Sequence, residues 1–151
     1  MEIRGYIPSD CVRLTELFYD TVHTVNAGDY TKEQLDAWAC ENPDLAEWNR
    51  SLSEHHALVA VEDGVIVGFG DMDADGYLDR LYVHKDYQKR GIAFAICGRL
   101  ERAAECDRIF THASVTALPF FLKRGYRIIR EQRVERRGVF LKNYVMEKLR
   151  R

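Results

Sequence analysis

The alternation of apolar and polar positions divides the chain into a helical first third and a strand-rich remainder. Glu2 to Tyr6 reads as a first strand, and Pro8-Ser9-Asp10 punctuates the start of a helix, with Ser9 or Asp10 able to cap free amides. Leu14, Leu17, Phe18, Thr21, Val22 and Val25 then recur at helical spacing and predict one apolar stripe. Asn26-Ala27-Gly28-Asp29 ends that helix. Thr31 and Gln34 form a T-x-x-Q capping box for a second helix through about Ala39, and Asn42-Pro43 opens a third short helix reaching Leu52.

From Ala57 the period becomes two. Ala57 to Glu62 and Val65 to Asp73 flank an Asp63-Gly64 turn and read as a hairpin, to which Tyr77 to Val83 adds a strand after Asp75-Gly76. A polar loop leads into a helix from about Gly91 to Glu105, with Ala93, Ile96, Cys97, Leu100, Ala103 and Ala104 on its buried face. Arg108 to Ala113 is a further strand, and Thr116 to Arg124 a short helix stopped by Gly125. Two last strands, Tyr126 to about Val134 and Val139 to Glu147, meet near Gly138. No linker or repeat interrupts the series, so residues 1–151 are expected to form one mixed α/β domain. Its central mixed sheet would have six or seven strands flanked by about four helices.

Composition narrows the partners. With 151 residues, 46% of them hydrophobic, the chain can build a core without metal or disulfide staples. Lys and Arg number 22 against 24 Asp and Glu, a net charge of -2 that gives no whole-molecule attraction for nucleic acid or an anionic membrane. The longest apolar run, Ile92 to Cys97, is far too short to cross a bilayer, and the first residues lack a signal-peptide layout. A cytoplasmic location is therefore expected. Cys11, Cys40, Cys97 and Cys106 include no C-x-x-C pair, and His23, His55, His56, His84 and His112 show no chelating spacing. Reduced thiols and no metal follow.

The stretch from Leu81 to Ala93 carries the chemistry, because a strand runs through a polar loop straight into a helix. Free amides at that helix start can hold phosphate oxygens, Gly91 and Ala93 allow close approach, and Lys89 and Arg90 add positive charge. The P-loop pattern fails because Gly91 has no partner glycine and no Lys-Ser/Thr follows it; the dinucleotide fingerprint fails for want of its first glycine. Gln88-Lys89-Arg90-Gly91-Ile92-Ala93 instead resembles the pyrophosphate-binding motif R/Q-x-x-G-x-G/A of the GNAT superfamily of N-acetyltransferases. Ser114 to Tyr126 is similar to that family's N-x-x-A-x-x-F-Y-x-x-x-G-F/Y stretch, and Val22 to Tyr30 with Ala37-Trp38-Ala39 resembles a bacterial subgroup of unassigned substrate.

The resemblance implies acetyl-coenzyme A as cosubstrate, with the amides of Gln88, Lys89, Arg90, Gly91, Ile92 and Ala93 on its pyrophosphate. It places the pantetheine arm along the backbone of Leu81, Tyr82 and Val83, and the Val83 amide against the thioester carbonyl. Ser114, Pro119, Phe120 and Arg124 would line the other wall. The implied reaction is direct attack by a neutral amine of a small molecule or exposed peptide, through a tetrahedral intermediate and without an acyl-enzyme. Phe121 stands where the family often has a proton-donating Tyr, and Ser114 where it often has Asn. Tyr82, Tyr126 and Tyr144 are candidate replacements, Tyr144 being preferred; Asp79 is the candidate base, with Asp71 the other near acid. His23, Asn26, Tyr30 and Trp38 are candidate acceptor contacts, with Asn143 and Tyr144 in the last hairpin. A homodimer is compatible with this reading. The competing reading is a catalytically silent acyl-coenzyme A sensor or partner protein that keeps the fold.

Overall fold

In the computed structural model, which describes residues 1–150, the first half runs β1 (Glu2–Gly5), α1 (Cys11–Thr24), α2 (Lys32–Trp38), α3 (Leu45–Glu54), β2 (His56–Glu62) and β3 (Val65–Met72). The second half runs β4 (Tyr77–Val83), α4 (Ile92–Ala103), β5 (Arg108–Ser114), α5 (Leu118–Lys123), β6 (Arg127–Arg136) and β7 (Val139–Leu149). The strands form one seven-stranded sheet in the order β1-β2-β3-β4-β5-β7-β6. Only β4 and β5 run parallel, joined by the α4 crossover that a parallel pair requires. Among the described residues five α-helices flank the sheet, one more than the approximate count from the sequence. Among the described residues no helix is long and apolar enough to cross a membrane, and the four cysteines are free.

Local chemistry sets the helix starts. The Thr31–Gln34 capping box forms as read, with the Thr31 hydroxyl accepting the Gln34 amide at 3.2 Å and the Gln34 carbonyl accepting the Thr31 amide at 2.9 Å. The third helix begins later than Asn42-Pro43 suggests. Asp44 caps it by accepting the Glu47 amide at 3.1 Å, and Pro43 disfavours helical geometry at Asn42. Its end also moves, from Leu52 to Glu54.

Helices α4 and α5 cover one face of the sheet over Leu58, Val67, Leu78, Ile96, Leu100, Ile109 and Met146. α4 lies close against β3 because Gly68 and Gly70 lack side chains there: a Cβ at Gly68 would stand 3.0 Å from Ile92 Cγ2, and one at Gly70 3.1 Å from Ile96 Cγ2. Helices α1 and α3 cover the other face over Leu14, Leu17, Leu52, Val59 and Phe69. Beside them, Val22, Tyr30, Leu35 and Ala39 pack onto Leu141.

Two positions on α4 depart from the sequence reading: Ala103 is exposed, and Glu101 is turned inward. Glu101 is buried because Arg124, Lys148 at 3.2 Å and the Tyr126 hydroxyl at 2.7 Å all converge on its carboxylate. Burial alone would raise its pKa; the hydrogen bonds from Arg124 and Tyr126 and the Arg124 charge outweigh burial and hold it at about 2. The folded carboxyl thus binds its proton less tightly than the unfolded one. Its stabilisation is complete above about pH 4.5 and is lost as pH falls toward 2. Glu101→Gln is expected to remove on the order of 2–3 kcal/mol at pH 7 and to flatten the acid limb of stability, as measured by urea unfolding at several pH values.

Candidate active site

One extra residue shapes the centre of the sheet. In the pairing of β3 with β4, Asp71 faces Arg80 and Met72 faces Leu78, so Asp79 has no partner and forms a bulge. Below the bulge β4 pairs with β5 at Tyr77 and Leu78 only; above it the two strands part. The His84 amide donates to Val67 at 2.8 Å, and backbone alternation from that bond turns the main-chain groups of Leu81 and Val83 toward the gap. The resulting slot is bordered by Leu81, Tyr82, Ala113, Ala117 and Phe121.

Beyond Val83, β4 runs into the loop before α4. Lys89 has φ +62° and Gly91 φ +81°, so the amides around Arg90 turn into a concave, anion-attracting arc. α4 starts at Gly91 with no side-chain cap on its first amides. The Gln88 side chain ties the arc to the strand by donating to Val83 O at 2.7 Å, and the Thr21 hydroxyl donates to the same oxygen at 3.1 Å. A Cβ at Gly91 would meet nothing within 4 Å. Ile92 is buried beneath the loop and Ala93 half-buried, while Lys89 and Arg90 are exposed, Arg90 lying over the Tyr87 ring.

The slot opens into a cleft walled by Phe18, Tyr30, Trp38, Trp48, Tyr77 and Tyr82. Asp79, Arg80, Trp38, Tyr82, His112 and Ser114 border both slot and cleft and so mark their junction. Asp79 keeps about 32% of its side chain exposed toward this junction, with Arg80 at 3.5 Å. Burial raises its pKa, against the opposing pull of Arg80. Arg80 is itself committed to the fully buried Asp71, which it grips through two nitrogens at 3.0 and 2.7 Å while His55 approaches at 2.7 Å. Asp71 is therefore a structural anchor. Its grouping with His55 and Asp79 resembles a metal cluster in ligand type, yet the Arg80 guanidinium occupies the position of the cation.

The other residues singled out in the sequence fall into place unevenly. Asn26 is buried with its amide 3.5 Å from the Ser114 hydroxyl, and that hydroxyl accepts the Ala117 amide at 3.0 Å. Tyr30 and Trp38 stand in the cleft wall with ring centroids 5.3 Å apart. The Tyr30 hydroxyl is fully engaged, donating to Lys142 O at 2.6 Å and accepting from the Val115 amide at 2.9 Å. His23 is not brought to the cleft, because its ring stacks on Tyr19 and bonds the Ala39 carbonyl at 2.8 Å. Tyr144 borders neither cavity; it packs against the core under α4 and α5, with the Lys142 ammonium 5.6 Å over its ring. Arg124 is held by Glu101 and stacks over Phe94, Phe120 packs against Phe94 and Phe121, and Pro119 is exposed at the start of α5. None of these three borders the slot. His112 and Tyr77 are cleft residues that the sequence reading passed over, although strand alternation places His112 on the same face as Ser114.

Comparison with known proteins agrees with this architecture. The family model described as "Acetyltransferase (GNAT) domain" matches residues 26–148, and the chain belongs to that family of acetyltransferases. It is 32% identical over 146 residues to the Escherichia coli (strain K12) "Uncharacterized N-acetyltransferase YafP", covering 97% of this chain and 94% of that protein. A GCN5-related N-acetyltransferase of Rhodopseudomonas palustris superposes with a TM-score of 0.94 at 34% identity, covering 98% of this chain and 94% of the other. The PaiA N-acetyltransferase of Thermoplasma acidophilum, solved with coenzyme A, superposes with a TM-score of 0.79 at 18% identity over 98% of both chains.

Because the Tyr30 hydroxyl bridges β7 and the end of β5, Tyr30→Phe leaves two main-chain groups short of a partner. The expected loss is about 1–3 kcal/mol in denaturant unfolding.

Proposed function

We propose that the protein transfers the acetyl group of acetyl-coenzyme A to a primary amine of a small molecule or an exposed peptide, by direct attack through a tetrahedral intermediate. The observation that carries this reading is the arrangement along β4: an amide-lined loop at the strand's end, an edge left unpaired with β5, and a slot that shares its border with an aromatic cleft. A coenzyme A ester has matching parts: an anionic pyrophosphate, an amide-bearing arm and a reactive end. The amides from Gln88 to Ala93 would hold the pyrophosphate, with Lys89 and Arg90 adding charge. Leu81 and Val83 would pair with the arm as an added strand does, and Tyr82 would wall its end.

The Val83 amide is the oxyanion donor in this reading, a role worth about 3–4 kcal/mol of barrier where it has been measured. Asp79, aimed at the junction by the bulge, would draw the acceptor's ammonium toward the thioester. Asn26 and Ser114 would brace the far wall, and Tyr30 and Trp38 would hold the acceptor's apolar part. The four free cysteines fit the cytoplasm. Phe121 favours a second reading, an acyl-coenzyme A sensor without turnover, since no hydroxyl stands at that position to protonate the leaving thiolate.

A thermal-shift comparison of acetyl-coenzyme A, coenzyme A, ATP and NAD tests the site, because a ligand bound to the native state alone must raise stability. Selective stabilisation by the coenzyme A esters is expected, and thiol release over an amine panel then separates enzyme from sensor. Gly91→Glu is expected to abolish the shift without unfolding the protein: the side chain has room, its left-handed backbone costs about 1–2 kcal/mol, and its carboxylate meets the anion. Gly91→Ala carries the same strain without the charge and should retain binding; equal affinity in all three forms by calorimetry would reject the loop assignment.

A further inference from the structure

Two features of the cleft remain without a role. His112 stands on β5 with its ring 5.3 Å from that of Tyr77, at the junction of slot and cleft, and makes no hydrogen bond to any described residue. Asn143 lines the cleft from β7, and its Oδ1 is the one buried side-chain polar atom among the described residues that lacks a hydrogen-bond partner. His112 pairs with Val145 and Ser114 with Asn143, so the two side chains share a face as diagonal neighbours on adjacent strands. A buried carbonyl oxygen left bare costs about 1–3 kcal/mol, which an N–H donor from a ligand would recover. The unbonded imidazole beside it is free to take a proton.

We propose that His112 is the base that neutralises the acceptor amine, while Asn143 Oδ1 accepts an N–H of the same nitrogen and orients it. This rests on the acetyltransferase reading and deepens it. An ammonium N–H bond breaks and its proton binds an imidazole nitrogen of His112. The freed lone pair attacks the thioester carbonyl carbon, and the C–S bond then breaks. A second proton of the nitrogen passes through solvent to the departing sulfur, and the imidazolium returns its proton to solvent. One ammonium and one thioester thus become one amide, one thiol and one proton.

The charges around His112 suit the task. His112 keeps more than a third of its surface exposed, and the partial desolvation of its ring lowers its pKa, with Arg130 and Arg136 on β6 pushing the same way against the opposing Asp79 on β4. The Tyr77 hydroxyl, also on β4, is raised to about 12 by burial and remains neutral. His112 is therefore the uncharged form at neutral pH, able to accept a proton, and the Asp79 carboxylate is placed to stabilise the imidazolium that results.

The test measures thiol release from acetyl-coenzyme A between pH 5.5 and 9 with phenethylamine, an ammonium at neutral pH, and aniline, already uncharged. Both suit an aromatic cleft. Acetyl-coenzyme A affinity is measured alongside by calorimetry, and the His112 ring is titrated by NMR, where it should lose its proton below the ordinary histidine value of about 6.5. His112→Gln is expected to lower kcat/KM for phenethylamine about 100-fold at pH 7 and to erase the acid limb of the profile. It should spare aniline acetylation and acetyl-coenzyme A affinity, and added imidazole should partly restore His112→Ala. If the acid limb persists in His112→Gln and disappears in Asp79→Asn, the proton goes to Asp79 and the proposal falls while the acetyltransferase reading stands. Equal losses with both amines and no rescue by imidazole make His112 structural and also overturn it. A wild-type protein that binds acetyl-coenzyme A but acetylates no amine removes the underlying reading and the proposal together.

Discussion

The site depends on one unpaired residue in the middle of the sheet. With Asp79 outside the β3 ladder, β4 bends away from β5 after only two paired positions. Two consequences arise from the same distortion: the main chain of Leu81 and Val83 has no strand partner on the β5 side, and the Asp79 carboxylate borders the opening. A regular strand there would pair with β5 along its length and leave no open edge beside the cleft.

Each face of the sheet carries one cluster of buried charge. Under α3, Asp71 holds Arg80 and His55, so the strand that carries the bulge is pinned one residue away from it. Under α4, Glu101 gathers Arg124, Tyr126 and Lys148 and fixes the return from α5 into β6. A buried carboxylate with a single partner would be costly; each of these has at least two, which offsets the cost of burying it.

Most of the architecture was legible because it rests on local periodicity: the helical stripe of Leu14 to Val22, the Thr31–Gln34 box and the meander from Ala57 to Val83 all formed as their spacing implied. The turn between β4 and α4 was legible as well, since Gly91 there takes a positive φ that residues with a Cβ resist. What the sequence concealed was direction and partnership. His23 and Arg124 look available in one dimension but are consumed by Ala39 and Glu101, contacts that depend on helix packing. Tyr144 alternates onto the face opposite His112, a distinction that needs the register of β7 against β5. His112 itself carried no motif, and only its neighbours make it chemically distinctive.

The Tyr30 hydroxyl joins a residue near the chain's beginning to backbone 85 and 112 positions later. Its two partners do not exist as a pair until β7 has inserted between β5 and β6, since Val115 follows β5 and Lys142 lies on β7. Contacts of such sequence separation form late, after their loop-closure entropy has been met by other pairings. The aromatic wall around Tyr30 and Trp38 therefore closes only when the last strand has been synthesised and docked, so that the cleft matures after the half of the molecule that bears the amide-lined loop.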